Sequence, residues 1–310
     1  MRAALAIVLV AACGGSDDTN APSALDPVTL APQVSQSELE TSIRGLEDLG
    51  TRYTMGPGDA NAKDYIVDRL TALGLTAELD AFSVAGETAH NIIVKHTGTV
   101  EPNVVYIFSA HYDSTSDTPI TSAPGADDNA TGVAAVLEAA RLLTVHSFRY
   151  SVWFVFTAAE EQGSLGSKHM VTWLPMEGVE VRGVIAPDMI GYWPQGEADQ
   201  MDILGDPASE FLVDHMAAVA TKLGVGFKKW VNHSFCYGDD HTSFQEAGIP
   251  AITPMDCVEA HNIPSSPEET PHYHRTSDTI GTLHMGMTTK VASVIVVTLA
   301  ELAEPVAPAN

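Results

Sequence analysis

Five places in this 310-residue chain put oxygen and imidazole donors where chemistry could use them. They are His111-Tyr112-Asp113, the pair Asp127-Asp128 inside the stretch Gly125 to Gly132, the pair Glu160-Glu161, Asp188, and His272-Tyr273-His274. Carboxylate oxygens and ring nitrogens together form a donor set for a divalent cation, and a bound cation supports hydrolysis. Each piece alone has an ordinary explanation. An HxD triplet suits a polar surface turn, a Glu pair suits the positive end of a helix dipole, and Asp-Asp suits a turn or N-cap. Their convergence sets them apart, because the other charged residues are scattered. Asp113, two residues past His111, is placed to accept the second imidazole N–H and fix the tautomer.

The elements that must position these donors are legible as hydrophobic patterns. Residues 104–110, 152–158 and 181–186 are short apolar runs leading into His111, Glu160-Glu161 and Asp188, and they read as buried strands. A fourth run, 251–254, opens a long loop ending at His272-Tyr273-His274; its Pro-, Ser- and Glu-rich part, 258–272, reads as a loop beside the substrate. Helical spacing recurs at Leu39, Ile43, Leu46 and Leu49, at Tyr65, Ile66, Leu70 and Leu73, at Val133, Val136, Leu137, Ala140 and Leu143, from Leu212 to Leu223, and over 284–302. A β stretch falls near 75–95. Strands alternating with helices predict one α/β domain over residues 37–304, a mostly parallel central sheet flanked by helices on both faces, and a short tail at 305–310. In open sheets of this kind ligands sit beyond the carboxyl ends of the strands, where the donors lie.

Composition narrows the function. With 45% apolar and 18% charged residues the chain buries a full core. The balance of 15 Lys+Arg against 40 Asp+Glu, a net charge of −25, repels phosphate backbones and anionic lipid, which excludes nucleic acid as a partner. Three cysteines exclude a disulfide scaffold and a cysteine-built zinc finger. Residues 1–12, a basic start and an apolar run, read as a signal peptide. Val10-Ala11-Ala12-Cys13 resembles a bacterial lipobox, which predicts a lipidated Cys13, a linker over 13–36, and export to the bacterial cell envelope. On that reading the membrane is reached only through the lipid on Cys13; a plain signal peptide would leave the protein periplasmic or secreted.

His111-Tyr112-Asp113, Gly125-Ala126-Asp127-Asp128-Asn129-Ala130-Thr131-Gly132, Ala159-Glu160-Glu161-Gln162-Gly163, Asp188-Met189 and His274-Arg275-Thr276-Ser277-Asp278-Thr279 resemble, in order, the metal-site segments of the bacterial leucyl aminopeptidase family of co-catalytic dizinc exopeptidases. The resemblance covers roughly residues 37–303. It implies two zinc ions per chain, His111 and Asp188 on one, Glu161 and His274 on the other, with Asp128 shared. Three carboxylates would then offset much of the repulsion between two dications. It further implies that Glu160 takes the proton of the attacking water and returns it to the leaving amine, acting on peptides with a free N-terminus. Tyr237, near Asp240-His241, is the residue the resemblance suggests for assisting the oxyanion. Cys236 and Cys257 flank the same region, as a disulfide or as two thiols.

Three rivals remain at this point. A glutaminyl cyclase, a related single-zinc catalyst, also carries a His-Tyr-Asp-Ser segment, as at His111 to Ser114. A carboxypeptidase of the same superfamily needs a cation for the substrate carboxylate, for which Arg275 is available. An anchored binding lipoprotein would have lost ligands, whereas all five and the base are present.

Overall fold

The computed structural model describes residues 24–193, 200–233, 238–255 and 270–307. Cys13, Cys236, Tyr237 and Cys257, and the leader at 1–12, lie outside the described residues, as does most of the 258–272 loop. The chain begins with α1 (Gln36–Glu47) and α2 (Pro57–Ala72), followed by the hairpin β1 (Glu78–Val84) and β2 (Glu87–His96). Then come β3 (Glu101–His111), α3 (Gly132–Leu143), β4 (Tyr150–Thr157), α4 (Leu165–Trp173) and β5 (Glu180–Ile185). The second half holds β6 (Gln200–Gly205), α5 (Glu210–Leu223), β7 (Gly226–Val231), α6 (Asp240–Glu246), β8 (Ala251–Met255) and α7 (Met285–Ala303).

The eight strands form one sheet in the order β1-β2-β4-β3-β5-β8-β6-β7. Parallel pairing joins β4, β3, β5 and β8 at its centre, and again joins β6 to β7, while β2 and β6 meet this centre antiparallel. The expected α/β architecture is therefore present. Both faces of the sheet are covered, and the two-residue period of the strands divides the side chains between them. Val104, Tyr106 and Phe108 of β3, with Val152, Phe154 and Phe156 of β4, join the larger core under α1, α3, α5 and α7. Val105, Ile107, Trp153 and Val155 point the other way, toward α4 and α6. This two-sided burial explains why the central strands read as unbroken apolar runs.

Local chemistry fixes the element ends. Ser35 caps α1 by accepting the N–H of Glu38, in a Ser-x-x-Glu capping pattern, and Pro57 opens α2 where no N–H is needed. Gly224, at φ +70°, ends α5 in the left-handed conformation. By length and composition α7 is apolar enough to cross a bilayer, yet 67% of its apolar window is buried inside the domain. Its apolarity belongs to the core.

Three features differ from the sequence reading. Residues 27–33, taken as linker, form a 3-10 helix whose Leu30 is fully buried in the core, and Ser293 of α7 donates to Ala31 O. The Pro-rich composition hides this, because seven residues with one buried Leu carry no periodicity. β6 and β7 carry no apolar run to read, because polar residues interrupt them: Gln200 and Asp202 in β6, Lys228 and Lys229 in β7. α4 and α6 were missed as well, at nine and seven residues.

The order β4-β3-β5 decides where a ligand sits. From β3 the chain moves to β4 on one side and then returns to β5 on the other, so the connections diverge at β3. Divergence of this kind opens a crevice at the carboxyl ends of adjacent parallel strands. His111 is the last residue of β3, Glu160 and Glu161 follow β4, and Asp188 follows β5.

Candidate metal centre

Around that crevice the five predicted donors come together in two groups that share one residue. His111 Nε2 lies 3.3 Å from Asp128 Oδ1 and 3.3 Å from Asp188 Oδ2. His274 Nε2 lies 3.3 Å from Asp128 Oδ2 and 3.0 Å from Glu161 Oε2. Within each group the donor atoms all lie within 4.8 Å of one another, and Asp128 offers one oxygen to each. Glu161 Oε1 and Asp188 Oδ1 are buried with no hydrogen-bond partner among the described residues. Unmet carboxylate oxygens in a buried site are costly, and a cation is the group that would satisfy them. Two imidazoles and three carboxylates, with no sulfur among them, fit zinc by donor type.

The electrostatics point the same way. Burial pushes Glu161 up to about 8, and the nearby Asp128 adds to the shift. Burial also pulls Asp128 upward, but hydrogen bonds with His111 and His274 win and hold it below the usual carboxylate range. His274 resists desolvation because Asp128 and Glu161 raise it to about 10. The cluster is short of positive charge.

Glu160 stands beside these groups without joining either one. Its Oε1 accepts a hydrogen bond from Ser164 Oγ at 3.0 Å. Burial holds its carboxyl well above the ordinary range, opposed by His111 and reinforced by Asp240, Glu161 and Asp239. Asp239 and Asp240 stand at the start of α6; Asp240 accepts the hydroxyl of Thr157, and burial and Asp188 push Asp239 up to about 8. The remaining histidines of the motifs do not take part. His272 turns to Ser277 Oγ at 2.9 Å, and His241 is fully buried, held neutral by desolvation at about 3.

A shared device positions the loops: a buried carboxylate grips two consecutive backbone N–H groups of the next segment. Asp113 Oδ1 and Oδ2 accept Glu160 N at 3.0 Å and Glu161 N at 3.2 Å. Asp278 accepts Asp127 N at 2.9 Å and Asp128 N at 3.1 Å, while Asp127 accepts Gly191 N at 2.7 Å and Tyr192 N at 3.0 Å. Charge-assisted bonds of this type are the strong ones. The carboxylate of Asp113 also lies 3.6 Å from His111 Nδ1, slightly farther than its own carbonyl at 3.3 Å. Its wider job, joining the tip of β3 to the turn after β4, had no sequence signal. Neither had Asp278.

The backbone is forced into unusual shapes here. Ala159, Met189 and His274 all have positive φ (58°, 47° and 52°), a conformation that costs a non-glycine residue of order 1–3 kcal/mol. The Asp128–Asn129 peptide is cis. Tyr273 stacks on His274, with ring centroids 3.7 Å apart. Gly125, at φ +53°, has no room for a side chain, since a Cβ there would stand 2.4 Å from Asp128 O and 2.6 Å from Ser114 Cβ. Gly125→Ala should therefore cost about 2–5 kcal/mol, summing left-handed strain and overpacking. Urea unfolding checks this, and a loss below about 0.5 kcal/mol would show that the turn relaxes freely.

The chain is similar to known proteins in sequence and in fold. A probable zinc metalloprotease of Pyrenophora teres f. teres is 28% identical over 277 residues, covering 72% of this chain and 57% of its own. The leupeptin-inactivating enzyme 1 of Streptomyces exfoliatus is 30% identical over 242 residues, with 74% and 51% covered. The chain thus spans about half the length of the curated relatives it matches. In fold it is similar to an aminopeptidase from Aneurinibacillus sp. strain AM-1, with a TM-score of 0.74 at 17% identity over 92% of this chain and 98% of that one. The model of peptidase family M28 matches residues 91–299, a span that takes in every donor of both groups, and the chain belongs to that family.

Proposed function

We propose that this chain is a zinc-dependent exopeptidase that removes N-terminal residues from peptides. The observation that carries the reading is the pair of donor groups sharing Asp128, with a buried carboxylate, Glu160, beside them and outside both. His111, Asp128 and Asp188 would hold one zinc ion, and Asp128, Glu161 and His274 the other. Bound there, zinc supplies polarisation of the peptide carbonyl and acidification of water.

The protein's own residues do the rest. Glu160 accepts the proton of the attacking water and delivers it to the departing amine; the proton affinity raised by its burial suits the first of these steps. Ser164 holds one of its oxygens in place. Asp113 keeps Glu160 and Glu161 in fixed relation, because it binds both of their N–H groups. The acidic surroundings, Asp239 and Asp240 included, favour a substrate amine over a substrate carboxylate. Arg52, a buried cation near the cluster, is engaged on three backbone carbonyls and is not offered to a terminal carboxylate. The acidic surroundings favour the aminopeptidase over the carboxypeptidase.

The leader belongs to the same proposal and rests on the sequence alone: processing removes residues 1–12 and leaves a lipidated Cys13 that anchors the domain in the cell envelope. Wild-type protein should partition with membranes and Cys13→Ser protein should not; a soluble, correctly cleaved wild type would sink the anchor.

The two adjacent glutamates test the chemistry. Glu160→Ala should retain zinc and lower kcat by roughly a hundred- to ten-thousand-fold, with KM little changed. Glu161→Ala should lose zinc and activity together. An N-acetylated peptide should resist cleavage. Near wild-type turnover by Glu160→Ala, or equal cleavage of acetylated and free peptides, would contradict the mechanism.

A further inference from the structure

Arg52 is fully buried, in the segment between α1 and α2, where a guanidinium is expensive to desolvate. Its hydrogen bonds say what it is there for. Nε donates to Tyr112 O at 2.7 Å, Nη1 to Pro124 O at 2.6 Å, and Nη2 to Gly125 O at 2.8 Å. Tyr112 lies between His111 and Asp113; Pro124 and Gly125 open the turn that delivers Asp127 and Asp128. One planar fork therefore spans the two loops that carry His111 and Asp128, the two residues that meet at 3.3 Å.

The segment bearing the fork is itself fixed to both loops. Arg52 N donates to Ser114 Oγ at 3.2 Å, Ala123 N donates to Gly50 O at 2.8 Å, and Thr54 Oγ1 donates to Asp113 Oδ2 at 3.1 Å. Gly125 is needed for the approach, since a Cβ there would stand 2.7 Å from Arg52 Nη2. A lysine could not substitute: a single ammonium lacks the divergent, coplanar donors that reach three carbonyls at once.

The charge has a second use. Arg52 makes no direct ion pair among the described residues, because carbonyls take its N–H groups. The carboxylates that act on it through space are Asp278, Asp128, Asp113 and Glu161. Its positive charge is thus spread over the cluster instead of being spent on one partner.

We infer that Arg52 is a positioning residue for the zinc site: it sets the separation of the His111 and Asp128 loops and supplies a permanent counter-charge, so that the donor cluster is assembled before metal arrives. The inference rests on the zinc-site reading given above. It differs from a plain structural role in its consequence, because it ties Arg52 to zinc affinity and not to fold stability alone.

The test uses the full chain with Arg52→Lys and Arg52→Ala variants. Zinc affinity is read by competition with a chromophoric chelator, and folding by near-ultraviolet circular dichroism. Arg52→Lys should fold and bind zinc about 10–100-fold more weakly, the usual scale for groups that orient metal ligands. At saturating zinc it should show lowered kcat with KM for a dipeptide reporter nearly unchanged. Arg52→Ala should bind zinc more weakly still and recover in millimolar guanidinium chloride, but not in sodium chloride at equal concentration. Wild-type zinc affinity in a folded Arg52→Lys protein would overturn the inference. So would loss of the fold in Arg52→Lys, which would make Arg52 an ordinary core residue. A wild type that takes up no zinc would instead overthrow the functional reading, and this inference with it.

Discussion

The structure is organised around an excess of buried negative charge. Asp113, Asp127, Asp128, Glu160, Glu161, Asp188, Asp239, Asp240 and Asp278 crowd the carboxyl end of the sheet, most of them shielded from solvent. Like charges in a low-dielectric setting repel strongly, so each must find compensation or take up a proton. Three of them, Asp113, Asp127 and Asp278, find it in pairs of backbone N–H groups. Asp128 finds it in two imidazoles. Glu161 and Asp188 each keep an oxygen with no hydrogen-bond partner among the described residues. That residue of unmet charge is what makes the crevice a place for cations.

The fold earns its role by bringing these groups to one spot from distant parts of the sequence. β3, β4 and β5 are adjacent, and their tips deliver His111, the Glu160-Glu161 turn and Asp188. Asp128 comes from the connection into α3 and His274 from the approach to α7. Loops this dissimilar need ties, and the carboxylate grips supply them in series: the segment after His274 holds the Asp127-Asp128 turn through Asp278, and that turn holds the segment after Asp188 through Asp127. Strain at Ala159, Met189 and His274 is tolerated because these ties over-determine the backbone.

Some of this was legible in the sequence, for definite physical reasons. Central parallel strands are buried on both faces, so 104–110, 152–158 and 181–186 stood out as apolar runs, and the donors at their tips followed. β6 and β7 are hidden by polar residues, Asp202 in one and Lys228 with Lys229 in the other, and α6, at seven residues, is too short to show a helical period. The 3-10 helix at residues 27–33 is held by packing of Leu30, which a Pro-rich segment does not advertise. Among the site residues, Arg52 was invisible and the bonds of Asp278 were unreadable, although its segment carries the resemblance, because each acts on backbone groups far away in sequence, and such contacts leave no spacing to read. Asp113 was noticed for its closeness to His111, but its bonds to the N–H groups of Glu160 and Glu161 come only from the meeting of β3 with β4.

The protein holds the two donor groups close together, and on the proposed function cations complete them. Anomalous diffraction at the zinc absorption edge, from crystals grown with and without zinc, tests this most directly. Two peaks are expected, one among His111, Asp128 and Asp188 and the other among Asp128, Glu161 and His274, with the loops unmoved between the two crystals. Zinc bound elsewhere, or loops that must rearrange before these residues can meet it, would contradict the account.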